Sequence, residues 1–246
     1  MAGLVAPGMC RVLRISKRGV WHYPCGKSVS TDVEIANAEE PPRHEVTKLL
    51  KAVKTQLGIA TSHIKKENKN INYTYQQVAE FREAMYSYDW LPKKQLQWYK
   101  TEVQCLNKPA RLAKVLQTLH SSLQNYSVTF QELQKFGNSI IYPEKVKRVR
   151  NKIIEGMAQH LNQVLCEVDS AMISLGIKRP EQVEDDLLFS KPDKWNSDPD
   201  HTSSLIQDWG VISLYRNFVI DWYLIMGKVN KNTGCKDNKR RRKPKQ

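Results

Sequence analysis

The side chains that could do chemistry are scattered along the chain. Six histidines (His22, His44, His63, His120, His160, His201) form no HExxH and no paired-ligand spacing, the minimum that a zinc site needs. His160 falls between core positions of a helix and reads as an ordinary helix-flank residue. The five cysteines (Cys10, Cys25, Cys105, Cys166, Cys235) make no CxxC and no mixed Cys/His cluster. Their odd number suits either a reduced chain or a secreted one with a spare thiol. The adjacent acids Glu39-Glu40 and Asp185-Asp186 lie in irregular, proline-rich surroundings, where neighbouring carboxylates are solvated loop charge. There is no GxSxG, phosphate loop or dinucleotide fingerprint. No catalytic residue, metal or cofactor is expected, and the chain reads as non-enzymatic.

Binding chemistry is better represented. The run Lys239, Arg240, Arg241, Arg242, Lys243 and Lys245 is a candidate polyanion-binding element. It suits a nuclear localisation signal, a contact to phosphate backbones, or a heparan-sulfate-binding tail. No aromatic residue is interleaved with it, which argues against base-specific recognition. The formal net charge of +14 is concentrated at the ends. Residues 1–30 hold five basic residues and no acid, and 231–246 hold eight against Asp237 alone; 31–230 are left near balance, with 26 basic and 24 acidic residues. The start, MAGLVAPGMCRVLRISKRGVWHYP, lacks the 7–15-residue apolar core of a signal peptide and reads as a disordered basic arm. Asn72 and Asn125 head glycosylation sequons.

Helical periodicity must position whatever binds, since no alternating strand pattern is present. Residues 1–42 read as an irregular arm. A first helix is predicted over about 43–68, with Val46, Leu49, Leu50, Val53, Leu57, Ala60 and Ile64 on one stripe and ENKNINYT as its break. A long, partly helical connection follows, with Val78, Phe81 and Met85 before Pro92, and Leu96, Tyr99, Val103 and Leu106 after it. The second helix is predicted over about 109–136 and the third over 143–176, where Gly176 and Pro180 mark the stop. An acidic connection of about 25 residues leads to a fourth helix over 204–229, capped by Ser203 or Ser204. Such a link is far longer than the roughly 2–8 residues that join neighbouring helices. The tail 231–246 is expected to be disordered.

The fourth helix contains the most apolar stretch, DWGVISLYRNFVIDWYLIMGK. In a membrane Arg216 and Asp221 would lie near mid-span, each costing about 2.5–3.5 kcal/mol. As a buried helix it places Leu205, Ile212, Tyr215, Val219, Trp222 and Met226 on one stripe, which Trp209, Phe218, Ile220, Ile225 and Val229 widen, with Arg216 and Asp221 facing out. Membrane insertion is therefore not expected. Long first and third links with a short second one predict an all-α, up-up-down-down four-helix bundle over 43–230, because a long link must cross the bundle's length.

At this point WGVISLYRNFV (209–219) and VLCEVDSAMISLGIKRP (164–180) bring a family into view. The chain resembles long-chain cytokines of the interleukin-6 type, notably the cardiotrophin and ciliary neurotrophic factor branch, and by extension the insect Unpaired ligands. The resemblance implies a secreted, non-catalytic protein that binds a cell-surface cytokine receptor and activates Janus kinase/STAT signalling. It implies one receptor surface on the first and third helices, drawing on Lys51, Lys54, Lys65, Arg148, Arg150 and Glu155. It implies another at the end of the first connection and the last helix, with Arg216, Asn217 and Lys228. The branch's Phe-x-x-Lys motif is replaced by Ser204-Leu205-Ile206-Gln207, so contact with a leukaemia-inhibitory-factor type of receptor is not implied. The basic tail would then retain the protein on heparan sulfate. The alternative is an intracellular helical adaptor carried to the nucleus by KRRRKPK.

Overall fold

Residues 24–25, 42–80, 88–140, 142–181 and 195–231 are described by a computed structural model, and no strand occurs among them. Helix α1 is Arg43–Tyr75; α2 is the short Gln95–Trp98, extended by a π-helical turn at Tyr99–Val103; α3 is Lys108–Ser139, α4 Glu144–Ser174 and α5 His201–Met226. The arm apart from residues 24–25 and 42, the basic run, Phe81, Met85 and Asp185-Asp186 lie outside the described residues.

Most residues of the predicted stripes are buried, Leu49 being only partly so, and four long helices share one core. α1 continues seven residues past its expected end because ENKNINYT still carries the three/four rhythm. Glu67, Ile71, Thr74 and Tyr75 are all buried. Packing of Ile71 and Tyr75 outweighs the modest helix propensity of asparagine, a difference of only about 0.7 kcal/mol per residue. α3 starts where Asn107 accepts a hydrogen bond from Ala110 N at 3.0 Å, with Pro109 in the first turn. α4 stops two residues before Gly176, whose φ of +61° is left-handed, and Ile177 N then donates to Met172 O at 2.9 Å. The fourth expected helix begins earlier than predicted. Its cap is Asp200, which accepts from Ser203 N at 2.7 Å, rather than Ser203 or Ser204.

Contacts between helices run in opposing register. Along α1 and α4, Glu67 meets Lys152 and His63 meets His160. Along α1 and α5, Tyr75 meets Asp208, Gly58 meets Tyr223 and Thr47 meets Asn230. Ser127 of α3 donates to Asn162 of α4, and Tyr126 of α3 packs on Phe218 of α5. Rings bind the connections to this frame: Trp195 packs on Phe136 of α3 and on Tyr88 and Trp90 of the first connection. Each ring pair contributes about 0.5–1.5 kcal/mol beyond its burial. The two long links are thus pinned to each other over the end of α3. Within the first link Tyr99 and Val103 are buried as expected, whereas Leu106 is exposed.

Two covalent ties add to the packing. Cys25 is disulfide-bonded to Cys166, across 141 residues, and Cys105 is also disulfide-bonded.

Candidate functional site

Arg216 and Asn217 lie on the last helix, as expected, whereas the first-helix and third-helix residues do not gather on one surface. The α1 lysines converge instead with α5. Lys54 Nζ lies 4.9 Å from the centre of the Tyr223 ring. Lys65 and Arg216 line one small cleft with Thr61, Ile64, Val219 and Ile220. Lys51 is exposed on α1, and Lys228 in the turn just after α5. The side chains of Ile220, Tyr223 and Leu224 are exposed between these cations, although the sequence assigns Ile220 to the buried sector. Gly58 lets Tyr223 lie against α1, since a Cβ there would stand 3.3 Å from its ring.

Asn217 is exposed beside the first connection and shares a groove with Pro92, Lys93 and Lys94. Lys94 adopts φ 53°, a left-handed conformation that a non-glycine residue holds only where its surroundings impose it. One constraint is visible next to it. Asp221 does not face out as expected: its carboxylate accepts the Leu96 backbone N–H at 3.0 Å, satisfying a free donor in the first turn of α2.

On α4 the expected residues separate. Arg148 is exposed and pairs loosely with Glu144 at 3.9 Å. Glu155 borders a polar groove between α3 and α4, with Ser127, Gln131 and Asn162. Arg150 corrects the expectation outright, because it is wholly buried and cannot meet a receptor. Its Nε donates to Asp208 Oδ2 at 2.6 Å, and Nη2 donates to Asp208 Oδ1 and to Leu133 O, both at 2.8 Å. Tyr75 Oη donates to Asp208 Oδ2 at 3.4 Å. Burial pushes the Asp208 carboxyl upward, and the Arg150 guanidinium opposes that shift. A sequence signal existed: Arg150 and Asp208 lie on the apolar stripes of their own helices, four residues before Ile154 and Ile212.

Between α1 and α4 lie His63 and His160, with ring centres 4.4 Å apart. Burial, then His160, lowers the His63 pKa from its ordinary value. Gly156 makes room for this ring, as a Cβ there would come within 2.7 Å of Nε2. The Cys25–Cys166 bond borders an open groove on the same flank, with Gln56, Ile59 and Gln163.

Of the two sequons, Asn72 is exposed near the end of α1. Asn125 is a correction: it is half-buried in α3, and its Nδ2 donates to Trp90 O at 2.7 Å. A glycan on that nitrogen would have to displace the first connection. The polyanion-binding run 239–245 lies outside the described residues. Among the described residues, no three His, Cys, Asp or Glu are grouped to hold a metal, and no helix is long and apolar enough to cross a membrane.

These features describe an all-helical protein whose outstanding surface is a basic and apolar face between its first and last long helices. The chain belongs to the Unpaired protein family, whose model matches residues 11–185. That span includes α1 to α4 and ends before α5. No curated protein matches the chain, and no solved structure does.

Proposed function

We propose that this chain is a secreted helical cytokine that binds a cell-surface cytokine receptor and activates Janus kinase/STAT signalling without catalysis of its own. The family match over residues 11–185 carries this reading. The opposing contacts of α1 and α3 against α4 and α5 support the up-up-down-down bundle that such ligands use. The Cys25–Cys166 disulfide supports an oxidising, extracellular setting, since the cytosol and nucleus keep thiols reduced. For the same reason it counts against the nuclear adaptor.

Receptor contact is assigned to Lys51, Lys54, Lys65, Arg216, Asn217 and Lys228. Arg148 and Glu155 on α4 form the rival surface. Asn72 is the proposed glycan acceptor, and the tail cations Lys239 to Lys245 hold the ligand on heparan sulfate. Adding the purified full chain to the medium of cells carrying a STAT reporter tests the reading. A response abolished by a Janus kinase inhibitor is expected. A folded protein that elicits none, combined with nuclear accumulation of a reporter fused to residues 231–246, overturns it.

A further inference from the structure

The outward sector of α5 is built against the usual rule for a helix at a protein surface. Phe218, Trp222 and Ile225 already fill the core, and a solvated sector ordinarily carries charge. Here it carries Ile220, Tyr223 and Leu224 at i, i+3 and i+4, exposed by 36, 38 and 42%. Three of the seven large exposed hydrophobics in the described residues fall within this one turn, so they form a patch rather than the usual scatter.

The rim of the patch is predominantly positive. α1 contains no acid between Val46 and Lys66, while it presents Lys54 and Lys65 towards α5. After Asp208, α5 has one acid, Asp221, and its carboxylate is occupied by the Leu96 N–H. Arg216 on α5 and Lys228 just after its end extend the positive rim. The central ring is held in place before any encounter. Tyr223 lies over Gly58 and under Lys54, so little side-chain freedom remains to be lost on binding. A preorganised tyrosine among aliphatic groups, bordered by arginine and lysine, has the composition of an interface hot spot.

We infer that the α1/α5 face around Tyr223 docks a protein whose own surface is apolar at its centre and acidic around it. The inference rests on the receptor-binding reading and adds the face and the chemistry of the partner. Charge complementarity favours a protein: a sulfated glycan would use the lysines and arginine but leave the apolar centre uncovered.

The test uses the fluorescently labelled full chain on STAT-reporter cells, with and without heparan-sulfate lyase treatment. Ile220→Glu with Leu224→Glu changes two exposed positions, so thermal unfolding should remain close to wild type. Its saturable binding should fall by about 30-fold or more, as for loss of a hot spot. Lys54→Glu with Arg216→Glu should slow association and weaken its salt dependence. Retained binding by the folded Ile220/Leu224 variant overturns the inference. So does binding that is lost only in Arg148→Glu with Glu155→Lys, which would move the contact to α4. Wild-type binding abolished by the lyase, or equalled on phosphatidylserine vesicles, identifies a polyanion or a membrane instead and also overturns it. If wild type binds cells without a STAT response and the Ile220/Leu224 variant loses that binding, the docking face stands and the signalling reading fails.

Discussion

Breaking the Arg150–Asp208 pair should separate architecture from recognition. Both side chains are wholly buried, and two bonds of 2.6 and 2.8 Å join them in a fork. Asp208→Leu leaves a guanidinium in that site with Leu133 O, Asn151 and the face of the Tyr142 ring as its remaining partners. A guanidinium does not shed its charge, so the variant should lose about 3–5 kcal/mol. For a folded unit of this size that is a fall in melting temperature of about 6–20 °C. Arg150→Met should cost less, because the stranded carboxyl can take up a proton. Burial already pushes it in that direction. The double variant R150M/D208L removes both charges, and should recover most of the loss, to within about 1–2 kcal/mol of wild type. Calorimetry and urea unfolding at neutral pH measure all three proteins. Two results would refute the reasoning: a melting point unchanged in Asp208→Leu, or a double variant as unstable as the sum of the singles.

Three further outcomes are expected. Cys25→Ser should destabilise the chain by about 2–5 kcal/mol, because the Cys25–Cys166 bond closes a loop of 141 residues; non-reducing unfolding curves measure it. His63 is held below its ordinary value of 6.5 by burial and then by His160, with Lys66 and Lys152 acting the same way and Glu67 opposing. The unfolded chain therefore binds the proton more readily. Stability should be fully present above that ordinary value and decline as pH falls below it, towards the lowered folded value. His63→Gln should flatten this decline in urea midpoints measured across the interval. In a secreting cell, Asn72→Gln should remove a glycosidase-sensitive gel shift and Asn125→Gln should not.

Much of the helical framework was legible because each long helix repeats its apolar residues every three or four positions. Val53, Leu57 and Ile64 in α1, or Met157, Leu161 and Val168 in α4, can be buried together only as one helical face. Where local preference and packing disagree, the stripe alone misleads. The asparagines after Asn68 favour a break, and α1 continues because Ile71 and Tyr75 find a core to enter. The same limit applies to charge. A sequence gives the type and spacing of Arg150, Asp208, Arg216 and Asp221 but not their partners. Exposed placement was therefore expected for Arg150 and Asp221, although one lies in a buried ion pair and the other caps α2.

The candidate face depends even more on tertiary structure. Residues 76–200 separate α1 from α5 in sequence, and only their antiparallel packing brings Lys54 over Tyr223 and Lys65 beside Arg216. The sequence by itself determined that four long amphipathic helices form, that no familiar catalytic or metal-binding motif is present, and that the excess positive charge lies in the tails. Periodicity and composition are local properties, carried by the chain whether or not it is folded. Which cations meet, which charges are buried, and which turn of the most apolar helix is left facing water were decided by the fold, because they depend on which distant surfaces come into contact.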